Sequence, residues 1–350
     1  MTKPFRLAFL GIDHPHGSSW RVLLNHLSSQ VEITAIVPGF GGETTSLEER
    51  YADVTQFDTV DELIESGQFD GAFVFLPNNE SGPAIVKLAE AGKHVFVEKP
   101  GVGSAAQAQP IVDALAKAGV AFQSGYLSRY DEAVNRLRQM VRRHRFGKLI
   151  SIEMTMFTSD VKRRDPDHYL FDHSVSTGGF FNWLACHYLD RLFYIIGQPV
   201  VGVTARTGVF GATPVDVEDG GVAILDLECG AIATFLGGYW LPRWSGEGDW
   251  CIRGSQRWVH FHGGALEIHG PQPQWEAMEE TFTLPKDDDT PGYGGRTGVA
   301  AVNDWLDAAR HNGRACRNTA KSALATLQVI DLIYQSSSEG RRIECRVEPS

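Results

Sequence analysis

Over residues 7–123 the chain alternates short apolar runs with amphipathic segments, the pattern of a parallel sheet covered by helices. Residues 7–12 form the first strand candidate. Trp20, Leu23, Leu24 and Leu27 fall at i, i+3, i+4 and i+7 on one helical face, and residues 33–37 return as a second strand. Thr59 and Glu62 have capping-box spacing ahead of Leu63 and Ile64, and residues 71–76 read as a further buried strand. Ile85, Leu88 and Ala89 make a helical face that stops at Gly92, a residue suited to the left-handed C′ position, before a strand at 94–97. Segments 104–119 and 120–123 complete the cycle, so residues 1–125 form a doubly wound α/β domain.

After Gly125 the periodicity changes. A helix over 131–146 is closed by Gly147. Ile150, Ile152, Met154 and Met156 then alternate with polar residues, the period of a half-solvated strand. Strand-like runs recur at 200–209, 222–227, 231–237, 250–261 and 279–284. Residues 126–350 are therefore expected to form an α+β domain with a large, mostly antiparallel open sheet. Residues 286–298, with consecutive aspartates followed by a proline and several glycines, read as a mobile surface loop.

A length of 350 residues suits two domains, and 43% hydrophobic with 21% charged residues excludes disorder and fibrous classes. The formal charge of −11, without any basic stripe, argues against a nucleic-acid partner. Five scattered cysteines with no CxxC pair suggest neither a disulfide framework nor a zinc ribbon, and fit a reducing compartment. No apolar run approaches the roughly 20 residues a membrane span needs, and the N-terminal apolar stretch is too short for a signal peptide. A cytoplasmic protein without membrane partners is expected.

Residues 11–17 read Gly-Ile-Asp-His-Pro-His-Gly, a turn between the first strand and helix. Measured against G-x-G-x-x-G, the first glycine is Gly11, the second is replaced by Asp13, and the third is displaced to Gly17. A carboxylate at position 13 is expected to repel a pyrophosphate placed there. The second strand ends in Val37-Pro38-Gly39, offering neither an acid for a ribose 2′-hydroxyl nor an arginine for a 2′-phosphate. Asp13, His14 and His16 also permit a metal reading, but no further ligand at diagnostic spacing completes it, so no metal is assigned. His260 and His262 share one strand face and read as solvated or inter-strand packing.

Residues 92–100, Gly-Lys-His-Val-Phe-Val-Glu-Lys-Pro, resemble the strand motif ending in Glu-Lys-Pro of the Gfo/Idh/MocA family of nicotinamide-dependent oxidoreductases. Gly178-Gly179-Phe180 followed by His187-x-x-Asp190 resembles that family's Gly-Gly and His-x-x-Asp on the first substrate-domain helix. The resemblance spans nearly the whole chain. It implies a Rossmann-like first domain, NAD or NADP as cofactor, a sugar, cyclitol or related polyol as substrate, and a homodimer or homotetramer. By motif position, Gly11, Ile12, His14 and Gly17 would approach the diphosphate, and Pro77 and Asn78 the nicotinamide side. Glu98 and Lys99 would approach the ribose and the reacting carbon, with a cis peptide before Pro100. Lys99 and His187 are the expected proton-handling groups. Tyr126, Arg129, Trp183 and Asp190 are the expected substrate contacts.

One departure stands out. Where the family commonly has Asp four residues before the histidine, this chain has Trp183. Two other readings therefore accompany the dehydrogenase: a non-catalytic ligand-sensing relative, and a hydrolase or lyase using a metal at Asp13, His14 and His16 or a transiently reduced nicotinamide.

Overall fold

The computed structural model describes residues 3–40, 51, 53–262, 265–270, 280–283, 288–311 and 314–349. In chain order the elements are β1 (Phe5–Leu10), α1 (Gly17–His26), β2 (Val31–Val37), β3 (Thr55–Gln56), α2 (Val60–Ser66), β4 (Gly71–Val74), α3 (Asn78–Glu90), β5 (His94–Val97), α4 (Ala105–Ala118) and β6 (Phe122–Ser124). There follow α5 (Glu132–Arg142), β7 (Leu149–Ser159), α6 (Cys186–Ile196), β8 (Val200–Gly208), β9 (Gly220–Leu227), β10 (Ile232–Leu241), β11 (Gly246–Gly254) and β12 (Trp258–His262). β13 (Ala265–His269), β14 (Glu280–Thr283), α7 (Gly295–Arg310), α8 (Ala320–Glu339) and β15 (Ile343–Val347) complete the fold. No helix among the described residues is long and apolar enough to cross a membrane.

The chain forms two compact units, one of Met1–Tyr130 with Asp287–Leu324 and one of Asp131–Lys286 with Ala325–Ser350. In the first, six parallel strands run in the order β3-β2-β1-β4-β5-β6. This is the dinucleotide-binding order, with the strand order reversing between β1 and β4. The expected helix signals are realised. Trp20, Leu23, Leu24 and Leu27 are all buried, Thr59 Oγ1 caps α2 by accepting from Glu62 N, and Gly92 takes φ +72° after α3.

Residues 126–130 and α7 fall in the first unit, which the boundary expected at 125/126 does not anticipate. The reason is hydrophobic. Ala301, Val302, Trp305 and Leu306 of α7 join Phe5, Trp20, Phe73 and Phe96 in one buried cluster. The segment read as a mobile loop is likewise packed where it is described; residues 286–287 lie outside the described residues. Tyr293 stacks on Trp20 with ring centroids 5.0 Å apart, and its backbone N–H donates to Ser19 O. Gly292, at φ +94°, lets the chain pass against the Leu23 backbone, where a Cβ would collide. The glycines of this stretch thus serve close approach.

In the second unit nine strands form one open sheet, β14-β13-β12-β11-β7-β10-β9-β8-β15, antiparallel except for the β7–β10 pair. Alternation sorts its faces: Ile152, Met154, Trp250, Ile252, Val259, Leu266 and Ile268 are buried, while Glu153, Asp249 and Glu267 point outward, at least partly exposed. The apolar run at 250–261 is two strands rather than one. Gly254 N donates to Arg257 O at 2.8 Å, closing a turn that polar Ser255 and Gln256 occupy.

Trp305 is fully buried against Phe5, Phe73 and Phe96. Trp305→Ala is expected to destabilise the first unit by about 3–5 kcal/mol, read as a shift in its denaturant midpoint. A change below 1 kcal/mol would show that α7 is not part of that core.

Candidate active site

The β1–α1 turn opens with Gly11 at φ +69°, where a Cβ would run into the Phe75 carbonyl at the end of β4. Gly17 is similarly required, because a Cβ would meet the Ile12 carbonyl. Gly11 thus brings the turn against the end of β4, and Gly17 lets it fold back on its own Ile12 carbonyl. α1 then begins with no side-chain cap and no acidic residue in its first turn, so its positive dipole end, where an anion would sit, carries no competing carboxylate, although Gly17 N–H itself donates to His14 O.

Asp13 does not face that anion position, contrary to the expectation from sequence. Its carboxylate is drawn to the end of β2, where Oδ1 accepts from Gly39 N and Oδ2 from Phe40 N, each at 2.8 Å. Two backbone N–H donors stabilise the carboxylate there, whereas a neighbouring phosphate would repel it. The acid missing from the end of β2 is thereby supplied by the turn after β1.

His14 is 5% exposed, and its Nδ1 accepts from His16 N at 2.9 Å, so the neutral ring carries its proton on Nε2. Burial, opposed by the Glu98 charge, pushes this imidazole down to about 4. Asp13, His14 and His16 form no metal-ligand cluster among the described residues. Asp13 Oδ1 and Oδ2 and His14 Nδ1 are all bonded to backbone N–H groups.

At the C-terminal end of β5 lie Glu98 and Lys99, 6% and 4% exposed, and the Lys99–Pro100 peptide is cis, as the resemblance implied. Glu98 Oε2 accepts from Trp20 Nε1 at 3.2 Å, and His16 Nδ1 lies 3.7 Å from Oε1. Burial alone would raise the Glu98 carboxyl, but the imidazole of His16 and the charge of Lys99 outweigh it and hold it below the usual carboxylate range. Glu98 Oε1 has no hydrogen-bond partner among the described residues. A buried carboxylate oxygen with an unfilled acceptor position suits a ribose hydroxyl. Pro77 and buried Asn78 open α3 beside the same strand ends.

The second unit holds His187, Trp183 and Asp190. The Gly-Gly segment leads into a π-helical turn, Phe181–Ala185, which runs on into α6. The sequence reading set Trp183 and His187 one α-turn apart. The π turn that precedes His187 includes an i→i+5 step, in which Cys186 N–H donates to Phe181 O. Asn182 is fully buried, and its side chain lies where a Cβ at Gly178 would be. His187 is half-buried, Trp183 is 7% exposed with its ring edge-on to Tyr169, and Asp190 is fully buried.

Of the remaining expected contacts, Tyr126 is fully buried and its carbonyl accepts from Asn318 Nδ2 at 3.1 Å. Arg129 is 3% exposed and donates to Arg317 O, while Arg317 donates to Arg129 O, both at 3.0 Å. These bonds tie the segment after β6 to the start of α8. Sequence reasoning took Trp20 as core alone and passed over Tyr293 and Glu218. The Glu218 carboxylate accepts from Gly179 N, Phe181 N and Tyr334 Oη at 3.0, 3.0 and 2.8 Å, capping the helix that carries His187. Its local signal is one acid among loop residues, which has no period.

Residues 5–126 match the family described as oxidoreductase family, NAD-binding Rossmann fold, and residues 134–265 match the Gfo/Idh/MocA C-terminal domain. The chain belongs to the Gfo/Idh/MocA family. Among curated relatives, myo-inositol 2-dehydrogenase of Thermotoga maritima is 28% identical over 216 residues, 60% of this chain and 56% of that one. The rhizopine catabolism protein MocA of Rhizobium meliloti is 24% identical over 308 residues, 87% of this chain and 86% of that one. The chain spans about half the length of several curated relatives it matches. A solved levoglucosan dehydrogenase, in complex with NADH and levoglucosan, superposes with a TM-score of 0.85 over 99% of this chain and 100% of that one at 16% identity, a likeness of fold. As in other Gfo/Idh/MocA members, the first unit is the NAD-binding Rossmann domain.

His14 stays neutral in the folded protein down to about 4, whereas an unfolded imidazole protonates near 6.5. The unfolded state binds the extra proton, so stability falls as pH drops through that window, by about 2 kcal/mol at pH 5 relative to pH 7.5. Denaturation of His14→Asn across this range is expected to show a shallower acid dependence than wild type. Identical slopes would place His14 in solvent.

Proposed function

We propose that the chain is a dehydrogenase that moves hydride between NAD and a secondary hydroxyl of a sugar, cyclitol or related polyol. The observation that carries this reading is the buried Glu98–Lys99 pair at the C-terminal end of β5, beside an α1 N-terminus with no side-chain cap. α/β sheets bind ligands at that end of their strands. A bound nicotinamide supplies the hydride acceptor. Lys99 Nζ takes the hydroxyl proton, a contribution of roughly 10²–10⁴ in rate. Glu98 Oε1 accepts from a ribose hydroxyl, while Gly11, Ile12, His14 and Gly17 border the diphosphate and Pro77 and Asn78 the nicotinamide side. His187, assigned by motif position, is the second proton-handling group. By motif position, Trp183, Asp190, Tyr126 and Arg129 are the substrate contacts, Trp183 through the apolar face of its indole. The polyol class draws support from the inositol dehydrogenase among the relatives.

The choice of NAD over NADP rests on Asp13. Its carboxylate on Gly39 N and Phe40 N stands at the end of β2, where a ribose 2′-hydroxyl is accepted and a 2′-phosphate is repelled. Val222, Ile224, Ile232 and Leu236 are exposed on the outward face of β9 and β10, which suits pairing with a second copy of the chain.

A second reading, ligand binding without turnover, is favoured by Trp183 in place of the family's Asp, since an indole takes no proton. Nicotinamide absorbance in a polyol screen separates the two: binding with no absorbance change under any polyol selects it.

Lys99→Met is expected to lower turnover by roughly 10²–10⁴ while the rise in melting temperature with NADH persists. Unchanged turnover removes Lys99 from the chemistry. NAD(H) is expected to raise the melting temperature and NADP(H) to bind at least about tenfold more weakly, the equivalent of about 1.4 kcal/mol. Asp13→Asn narrows that difference. Equal affinity of wild type for both cofactors would overturn the assignment of Asp13.

A further inference from the structure

The outward face of the second unit's sheet carries a group of side chains that the hydride chemistry does not use. β11, β12 and β13 are consecutive antiparallel strands, in which His260 pairs with Glu267 and His262 with Asp249. The two histidines alternate with inward Val259 and Phe261, so both imidazoles stand on the same face, 4.4 Å apart and inclined by 30°. Glu267, from the neighbouring strand, reaches both of them. Its Oε1 lies 3.3 Å from His262 Nε2 and its Oε2 lies 4.0 Å from His260 Nδ1. On the other side, Asp249 Oδ1 lies 3.4 Å from His260 Nε2.

We propose that His260, His262 and Glu267 form a binding site for a divalent transition metal of zinc's class, with Asp249 as the residue that orients His260. One ligand atom from each of the three lies within 4.8 Å of the others. Bonds of about 2.0–2.2 Å to a tetrahedral ion place ligand atoms roughly 3.4 Å apart, close to the His262–Glu267 separation. Two imidazoles and a carboxylate are the donor set that borderline divalent metals take, with the fourth position left to water. The Asp249 contact supplies the carboxylate–histidine–metal arrangement. It engages Nε2 and leaves Nδ1 toward Glu267, so one tautomer is selected before any ion arrives. Each donor stands on a hydrogen-bonded strand rather than a loop, which keeps the set assembled. All are partly exposed, 37–54%, so their side chains have room to close on an ion.

Two neutral imidazoles and one carboxylate bind Zn²⁺ with a residual charge of +1, which the Asp249 carboxylate balances. Bound there, the ion would link β12 to β13, with β11 held through Asp249.

The test is calorimetric titration of the tag-free full chain with Zn²⁺, alongside its effect on melting temperature. The expected result is saturable binding of one Zn²⁺ per chain and a higher melting temperature with the ion. His260→Ala/His262→Ala is expected to abolish both effects. Asp249→Asn keeps the stoichiometry and weakens binding by roughly 10–100-fold, as loss of an orienting partner does. Because the histidines face outward, the double variant should melt like metal-free wild type. Should it fail to fold, Glu267→Gln serves in its place, with weakened binding expected. Non-saturable binding by wild type, or undiminished binding in the double variant or in Glu267→Gln, overturns the site.

Discussion

A carboxylate buried at the end of β5 is the constraint around which the first unit is arranged. Moving an ionised Glu98 from water into an interior carries a penalty of several kcal/mol unless partners replace the lost hydration. Those partners come from elements far apart in sequence: the Trp20 indole from α1, the His16 ring from the turn after β1, and Lys99 beside it. Meeting the needs of one charge fixes how α1 leaves β1 and how the turn lies over the strand ends. Tyr293, stacked on Trp20 and tilted against His16, extends the same arrangement into the segment before α7. The first unit is thus closed by packing around residues that also line the candidate site.

The second unit meets a comparable demand with a different device. Gly179 removes a side chain so that the Glu218 carboxylate can reach the N–H groups of Gly179 and Phe181, and Gly178 makes room for the Asn182 side chain. Burial raises this carboxyl, against the hydrogen bonds from Phe181, Tyr334 and Gly179. The π turn that follows admits one extra residue before α6 and resets the phase of His187.

Much of this architecture was legible from local pattern. Trp20, Leu23, Leu24 and Leu27 mark a helix by period, Thr59 and Gly92 mark element ends by their own hydrogen bonding and φ, and residues 98–100 mark a strand end by motif. Features decided by distant contacts were not legible. The place of α7 depends on Trp305 meeting Phe5, 300 positions earlier in the chain. The direction of Asp13 depends on two N–H groups at 39 and 40 that no pattern around residue 13 reveals. In both cases the residue type was visible, but the partner that gives it meaning was supplied only by folding.

The placement of Asp13 resolves what looked contradictory in the sequence, an anion-binding turn carrying an acid. The Asp13 carboxylate is drawn to backbone donors at the end of β2, while Glu98 Oε2 accepts from Trp20 and its Oε1 keeps an unfilled acceptor position. His14 adds no positive charge of its own, because burial keeps it neutral at physiological pH. The α1 N-terminus, with no acid in its first turn, therefore remains the local electropositive element of the turn. A departure from G-x-G-x-x-G at two positions leaves the physical requirement intact: an α1 start with no side-chain cap and no acid in its first turn, and an Asp13 carboxylate drawn to the end of β2.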